Sequence, residues 1–288
     1  MSQIGISFEK TAICLALVNR GESGWYHVQE CSELAFNADL YADLLDKGHP
    51  KLVSEVTQKL TQLLTKLSPQ KVAVCLNLTG IKALPIQLEK QLDAEIFEEE
   101  CRHEAALFLR EPDNYVWQSV QVSSAQPDRF DRYVLLFMPA RYLTRLKVLL
   151  LPTRKAINLI DVAHISLHHL QLNPQTRAAI LELEPNYVAL STMLMPNFET
   201  FSFTPLNADT DLAYFALSAI QQLPSPCPIS VVGSAATQET ISFIAQATGL
   251  TILHASLPKN FVVSAQVGEP ETYLKAISCA VKAMSLPS

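Results

Sequence analysis

The chain has 288 residues, of which 49% are hydrophobic and 17% are charged, and its formal net charge is −6. This composition is that of a folded globular protein and excludes an intrinsically disordered chain. The acidic balance argues against nucleic acid or anionic lipid as the main partner. No apolar stretch approaches the ~18 residues of a membrane span, and the first residues lack the basic region of a signal peptide. We therefore expect a cytoplasmic protein unless a partner holds it at a membrane.

The beginning of the chain alternates short apolar runs with polar turns, which is the pattern of an antiparallel meander. The pattern predicts three strands: Gln3–Phe8, Ala12–Val18 and Trp25–Glu30. Leucines and a valine then recur at helical spacing, which predicts an amphipathic helix over Lys51–Leu67. The apolar run Lys71–Leu78 follows and is typical of a buried central strand.

Residues 79–152 have a different order of elements. The predicted strand, helix, strand, strand and helix are Ile81–Leu88, Ala94–Leu109, Tyr115–Val122, Arg132–Met138 and Ala140–Leu150. Asp93 is predicted to cap the first of these helices. The carboxylates of Glu98–Glu100 are interpreted as a solvated helix face, with an acid-rich face for a partner as the alternative. We interpret the segment as a compact α+β insertion.

The remaining residues repeat the plan of the beginning. After a strand at Ala156–Asp161 and a helix at Ala163–Leu172, Asn173-Pro174 is predicted to be a boundary. The predicted elements after it are strands Ala178–Leu183, Tyr187–Met195 and Glu199–Thr204, helix Asp209–Leu223, strand Ile229–Gly233, helix Thr237–Thr248, strand Thr251–His254 and helix Glu271–Met284. A second meander followed by alternating helices and strands indicates an internal duplication. We predict an α/β protein with one domain at 1–78 plus 153–172, an insertion at 79–152 and a second domain at 173–288.

Three patterns of cysteines, histidines and aspartates are candidates for metal or redox sites. The six cysteines are scattered without a CxxC pair, which favours buried reduced thiols. His164 and His168 have the i, i+4 spacing of metal ligands, but no third ligand is near, so we interpret them as surface or boundary histidines. The spacing of Asp209 and Asp211 is interpreted as helix capping. The sequence predicts no metal site.

The duplicated plan with an α+β insertion resembles the actin, Hsp70 and sugar-kinase superfamily. Short stretches resemble, in order along the chain, the PilM-like and MshI-like proteins of type IV pilus (MSHA) biogenesis, which belong to the FtsA-type branch. They are Ile4-Gly5-Ile6, His103–Leu109 with Tyr115–Val122, Val134–Ala140 with Tyr142–Leu150, Val231–Ser234 and Thr248-Gly249-Leu250. The resemblance implies an actin-like fold of two ribonuclease-H-like domains with an inserted SHS2-like subdomain.

The resemblance also implies where nucleotide loops would lie. Active members carry an aspartate and a glycine in the first phosphate loop, where this chain has Ser7 and Glu9, with Lys10 next to them. A serine lacks the charge that magnesium needs, and a glutamate repels phosphate. Lys10 compensates in part.

In the second phosphate loop, Glu182 keeps a carboxylate, Glu184 replaces a glycine and Pro185 removes a backbone donor. Gly233 and Ser234 retain some character of the adenosine loop. We therefore expect a pseudo-ATPase that needs no cofactor and keeps at most a vestigial ATP and magnesium site.

By resemblance, the protein is expected to be a scaffold that binds the cytoplasmic tail of a PilN-like inner-membrane protein. The tail would lie along Ile81–Leu88, the helix around Phe97–Phe108 and the strand around Arg132–Met138. Self-association is also expected of an actin-like fold. Two alternatives stay open at this point: an active ATPase or kinase of the same superfamily, and a component similar to the cytoplasmic part of GspL in type II secretion. An FtsA-type division protein ranks last, because the sequence has no basic amphipathic segment at its end.

Overall fold

The structure is a computed structural model, and it describes residues 1–22, 24–122, 129–170, 177–194, 197–207 and 211–286. The predicted boundary at Asn173-Pro174 and the predicted capping residue Asp209 lie outside these ranges. Two compact units account for the chain. The first consists of Met1–Thr79, Arg141–Leu172 and Ser256–Ser288, and the second of Gly80–Ala140 and Asn173–Ala255. These units group the residues differently from the predicted domains, and the domain division stays a prediction.

The first unit is built on a six-stranded sheet. Its strands are β1 (Ser2–Phe8), β2 (Ala12–Arg20), β3 (Tyr26–Ala35), β4 (Lys71–Leu76), β8 (Ala156–Val162) and β14 (Phe261–Val263), in the spatial order β14-β3-β2-β1-β4-β8. The predicted meander is confirmed, because β1 and β3 each pair antiparallel with β2. The run after the first helix is the predicted central strand, since β4 lies parallel between β1 and β8.

The α-helices that the structure describes in this unit are α1 (Pro50–Leu64), α3 (Ala140–Leu150, in the unit from Arg141), α4 (Ala163–Leu167) and α7 (Leu274–Ser285). A π-helical segment at Leu40–Asp46 was not predicted; Asp39 caps it by accepting hydrogen bonds from the Tyr41 and Ala42 N–H groups. Helix α7 packs on β1 so closely that a Cβ atom on Gly5 would lie 1.9 Å from the Ala276 carbonyl oxygen. Glycine at this position is therefore what allows the helix to contact the sheet.

The second unit is built on an eight-stranded sheet. Its strands are β5 (Lys82–Glu89), β6 (Tyr115–Val122), β7 (Phe130–Pro139), β9 (Ala178–Glu184), β10 (Tyr187–Leu194), β11 (Asn197–Pro205), β12 (Ile229–Val232) and β13 (Ile252–His254). Their order is β13-β12-β9-β10-β11-β6-β7-β5. The second predicted meander is confirmed by the antiparallel pairing of β10 with β9 and β11. One residue pair, Phe198 with Val122, joins β11 to β6 and so connects the insertion to this meander.

The α-helices among the described residues of the second unit are α2 (Ala94–Phe108), α5 (Leu212–Gln221) and α6 (Gln238–Thr248). Asp211 caps α5 by accepting a hydrogen bond from the Tyr214 N–H at 3.2 Å, as predicted for this residue. Asp93 occupies the N-cap position of α2, but its side chain makes no capping hydrogen bond, so that part of the prediction was wrong. None of the helices in the described ranges combines the length and apolar composition that crossing a bilayer requires.

Candidate functional site

The first predicted phosphate loop lies at the carboxyl end of β1, in the first unit. Since β1 and β4 are parallel neighbours, the residues that follow them meet at the same edge of the sheet. Asn77 follows β4, and its Nδ2 donates to Glu9 Oε2 at 2.7 Å. Lys275 of α7 reaches the same edge: its Nζ lies 3.1 Å from Glu9 Oε2 and 2.9 Å from Asn77 Oδ1. The Glu9 carboxylate is therefore bound from two sides within the protein.

A buried tyrosine extends this network. The Tyr41 hydroxyl donates to the Phe8 carbonyl oxygen at 2.7 Å and accepts from the Asn77 backbone N–H at 2.6 Å. Burial, with the nearby Glu9 charge as the second cause, raises the pKa of Tyr41 well above its usual value. Tyr41 therefore stays neutral and links the end of β1 to the residue after β4.

The other two predicted residues of this loop are placed differently. Ser7 is 1% exposed, and its Oγ has no hydrogen-bond partner among the described residues. Side chains alternate along a strand, so Ser7 lies on the same face as Gly5, under α7. Lys10 is exposed. The backbone N–H of Glu9 donates to the Ala12 carbonyl oxygen at 2.8 Å, so the hairpin itself uses this amide.

A second buried ion pair joins α7 to β8. Lys282 Nζ lies 2.6 Å from Asp161 Oδ2, and the Ser166 hydroxyl donates to the same oxygen. The Asp161 side chain is 1% exposed and that of Lys282 is 13% exposed. Lys275 and Lys282 are seven residues apart, about two helical turns, so both lie on one face of α7. Each therefore neutralises one carboxylate at the sheet.

Sequence reasoning missed both lysine contacts, although one signal was present. Helix α7 is buried along most of its length, and Lys275 and Lys282 are its only two charged residues. A lysine is almost never fully buried without a partner. Their spacing therefore predicts two acidic partners on the surface that α7 covers, without saying which residues these are.

The three histidines near this ion pair are mostly buried. The interpretation of His164 and His168 as surface or boundary residues was wrong, because both are 0% exposed. Their rings contact each other edge to face at 6.2 Å. Burial, with the Lys282 charge as the second cause, lowers the pKa of His169 to about 4. Within the described residues, no group of three or more histidines, cysteines or carboxylates is arranged to hold a metal ion.

The second predicted phosphate loop lies at the carboxyl end of β9, in the second unit. Glu182 is 0% exposed, and its Oε1 accepts a hydrogen bond from the Tyr187 hydroxyl at 2.8 Å. Glu184 is 5% exposed, and its Oε2 accepts from the Ser234 hydroxyl at 2.5 Å. The parallel pairing of β9 with β12 brings Glu184 and Ser234 together.

Gly233 is required by the backbone of this turn. Its φ is +107°, and a Cβ atom there would lie 2.2 Å from the Leu183 carbonyl oxygen. That same oxygen accepts a hydrogen bond from the Ala235 N–H at 3.0 Å. The close approach that the glycine allows is therefore to the protein's own β9.

The elements predicted to bind a partner tail pack together within the second unit. Helix α2 covers one face of β5 and β7, with the shared core Ile86, Leu88, Cys101, Ala105, Leu109, Leu135 and Phe137. Strand β5 is the last in the sheet order, so its outer edge has no neighbouring strand in the part of the sheet that the structure describes. Pro85 lies in the middle of β5, a position that proline occupies on edge strands because it has no N–H to donate.

A cavity of about 560 Å³ lies elsewhere in the first unit, near Ser2, Arg20, His27 and Ser264. Ser2 and Glu9 are at opposite ends of β1, and a seven-residue strand spans roughly 20 Å. The cavity is therefore separate from the predicted phosphate loop.

Comparison with solved structures shows that the chain has the predicted actin-like fold. It is similar to a chain of the PilM–PilN type IV pilus biogenesis complex over 99% of each chain, with a TM-score of 0.78 and 14% identity. It is also similar to the cytoplasmic domain of EpsL, an inner-membrane component of the type II secretion system of Vibrio cholerae, over 100% of this chain and 97% of that one (TM-score 0.55, 7% identity). A Bacteroides thetaiotaomicron protein with an actin-like ATPase fold matches over 96% and 95% of the two chains (TM-score 0.53, 9% identity). No protein-family model and no curated protein matches the sequence.

Proposed function

We propose that this protein is a cytoplasmic scaffold of type IV pilus assembly that binds the tail of a PilN-like inner-membrane protein and does not hydrolyse ATP. The observation that carries the first part is the match to a chain of the PilM–PilN complex, which spans 99% of both chains at a TM-score of 0.78. The likenesses to the EpsL cytoplasmic domain and to the Bacteroides thetaiotaomicron protein have lower TM-scores, 0.55 and 0.53. Within pilus systems we assign it to the MSHA type, on the sequence resemblance to MshI-like proteins.

The contacts of Glu9 support the absence of hydrolysis. Its carboxylate stands where phosphate would approach, and Lys275, the nearby cation, is 9% exposed and already bound to Glu9 and Asn77. A triphosphate would have to displace this network and face the carboxylate, and a like-charge contact at ~4 Å costs about 4 kcal/mol at an effective dielectric constant of ~20. Glu184, held by Ser234, has the same effect in the second loop. We infer that these residues do not fit Mg-ATP.

The free edge of β5 is the place where we expect an extended tail to bind. The Lys90 N–H donates to the Arg129 carbonyl oxygen at 3.3 Å, in the register in which Pro85 pairs with Val134. Hydrogen-bonded pairs alternate along an antiparallel ladder, so Pro85, five residues from Lys90, has its backbone directed to the outer edge. Residues two apart in a strand point the same way, so the N–H groups of Ala83 and Gln87 also face this edge. A tail that adds a strand here would gain main-chain hydrogen bonds from these groups.

Titration calorimetry with a synthetic peptide tests the tail site. The probe is the cytoplasmic tail of the PilN-like protein encoded in the same genome. Gln87→Pro removes one edge donor and should weaken binding roughly tenfold, which corresponds to about 1.4 kcal/mol. Gln87→Ala keeps the N–H and is the matched control. No binding by the wild type would refute the scaffold proposal, and unchanged binding by Gln87→Pro would place the tail elsewhere.

Thermal unfolding with and without millimolar Mg-ATP tests the second part. Nucleotide at 100 times its dissociation constant would stabilise the native state by about 2.7 kcal/mol, which is several degrees in Tm. We expect no shift. A clear shift would move an active ATPase or kinase of the same superfamily to first place.

A component similar to GspL is the second candidate. The likeness to the EpsL cytoplasmic domain spans the whole chain and favours it over other members of the superfamily. The same calorimetry separates the two candidates when it is repeated with the cytoplasmic segments of type II secretion proteins. If the protein binds the type II secretion segments and not the PilN-like tail, the function of a GspL-like component is favoured.

A further inference from the structure

Two helices carry opposite charge at high density. Residues 93–104, which include most of α2, contain six acidic residues and one arginine, so their net charge is −5. Residues 141–155, which include α3, contain five basic residues and no acidic one, so their net charge is +5; one of the five, Arg141, donates from Nε to Asp46 Oδ1 at 2.6 Å. The whole chain carries only −6. These two segments are therefore far from the average charge density of the protein, in opposite directions.

The outward face of α2 combines these carboxylates with exposed apolar side chains. Cys101 and Ala105 mark the buried face of this helix. The residues on the opposite face follow the i, i+4, i+7, i+11 spacing: Ile96, Glu100, His103 and Leu107. Ile96 is 45% exposed and Leu107 is 73% exposed. Apolar side chains at the centre of an outward helix face are the pattern of a contact surface.

The outward face of α3 has the same combination with the opposite charge. Leu146 and Leu149 are among the residues on its buried face. Val148 is 47% exposed, and Leu151, at the start of the 3₁₀ turn that follows, is 77% exposed. Lys147 and Arg154 flank them and are exposed. The α3 face is therefore an apolar pair surrounded by cations.

We propose that the α2 face of one copy of this protein packs on the α3 face of a second copy. In this contact Leu107 covers Val148 and Leu151, and carboxylates including Glu100 approach Lys147 and Arg154. The two segments, with net charges of −5 and +5, match each other, whereas a lipid surface would cover only the basic one. The proposal rests on these charges and exposures and not on pilus assembly, although α2 is also one of the elements along which the resemblance places the partner tail.

The contact joins unlike surfaces, so each copy keeps one unused α2 face and one unused α3 face. Such heterologous contacts extend head to tail unless a rotation closes them into a ring. One helix pair buries less than the ~1,200 Å² at which specific interfaces begin, so association is weak and depends on concentration. Charge supplies much of it, so salt weakens it.

Sedimentation velocity of the full chain tests the proposal. At about 50 mM salt the weight-average mass should rise between about 10 and 500 µM protein, and the rise should disappear at about 500 mM salt. Glu100→Lys and Lys147→Glu should each weaken association about tenfold or more. Both side chains are exposed, so the fold should be unaffected, which a urea melt checks. The double variant restores an opposite pair at the contact and should regain the association.

A wild type that stays monomeric throughout would overturn the proposal. Association that is unchanged by the single reversals, or that the double reversal fails to restore, would also overturn it. Flotation with vesicles that contain phosphatidylglycerol is the parallel test. Binding to them that Lys147→Glu removes, in a protein that does not self-associate, would assign the basic face to lipid instead.

Discussion

Replacing Lys275 with methionine tests whether contacts within the protein hold the Glu9 carboxylate in the first predicted phosphate loop. Methionine keeps most of the side-chain volume and removes the charge that lies 3.1 Å from Glu9 Oε2 and 2.9 Å from Asn77 Oδ1. The Lys275 side chain is 9% exposed and that of Glu9 is 26% exposed. The variant therefore leaves a largely buried carboxylate with one protein partner fewer.

The size of the effect follows from the burial of the two groups. Removing one partner of a fully buried ion pair costs roughly 3–5 kcal/mol. About a quarter of the Glu9 side chain remains in contact with water, which compensates part of this loss. We expect Lys275→Met to lower the free energy of unfolding of the first unit by about 2 kcal/mol. The double variant with Glu9→Gln should recover about 1 kcal/mol of that loss, as coupled neighbours do.

Urea unfolding followed by tryptophan fluorescence measures the effect. The chain has two tryptophans, Trp25 in the first unit and Trp117 in the second, so a Trp117→Phe background reports on the first unit alone. Lys10→Met is the matched control, because Lys10 is an exposed lysine in the same loop and should change stability by less than about 0.5 kcal/mol. If Lys275→Met behaves like this control, or if the double-variant cycle shows no coupling, Lys275 does not stabilise Glu9 in this loop.

Three further predictions concern the backbone, the histidines and the thiols. Gly233→Ala should destabilise the second unit by about 3 kcal/mol, because its Cβ would lie 2.2 Å from the Leu183 carbonyl oxygen. Gly249→Ala, where φ is +68° and no atom lies within 4 Å of the added Cβ, should cost only about 1 kcal/mol. The urea unfolding midpoints of the two variants measure the difference. The pKa of His169 is lowered from 6.5 to about 4, so its contribution to stability is complete above pH 6.5 and is lost as the pH falls to 4. The loss is at most about 3 kcal/mol of unfolding free energy. A His169→Gln variant should lack this pH dependence in urea melts. Burial raises the pKa of Cys14 and Cys31 to about 12, so neither thiol should react with a disulfide reagent at pH 8 in the native protein. All six thiols should react once the chain is unfolded. Rapid labelling of Cys14 and Cys31 in the native protein would contradict this prediction.

The sequence predicts most of the regular elements because their patterns are local. The alternation of β1 to β3 and the helical spacing of Leu52, Val56, Leu60 and Leu64 depend only on residues close in the chain. Strand β14 has three residues, too few for a period, and it forms by pairing with β3. The π-helical segment at Leu40–Asp46 was missed because its two central contacts, from Tyr41 to Phe8 and to Asn77, join residues more than 30 positions apart.

The candidate site is less accessible to sequence reasoning for the same physical reason. The sequence indicates that Glu9 and Glu184 are unsuited to phosphate, because charge and bulk are properties of the residue itself. It does not indicate that Lys275 binds Glu9, because the two are 266 positions apart and only the packing of α7 on β1 brings them together. His164 and His168 were misplaced on the surface because α4, which ends just before His168, is too short for its buried face to be inferred from periodicity.

The position of α7 in the chain sets the order in which the protein can fold. A ribosome releases β1, β4 and β8 long before residues 274–285, and until then the surface that holds Gly5, Cys75 and Asp161 has no cover. The second unit, which ends at Ala255, is complete at an earlier stage of synthesis. Until α7 is synthesised, the nascent first unit therefore exposes apolar surface and two carboxylates, Glu9 and Asp161, that lack their lysine partners. Intermediates of this kind are bound by chaperones. A truncation before residue 274 would make that intermediate permanent.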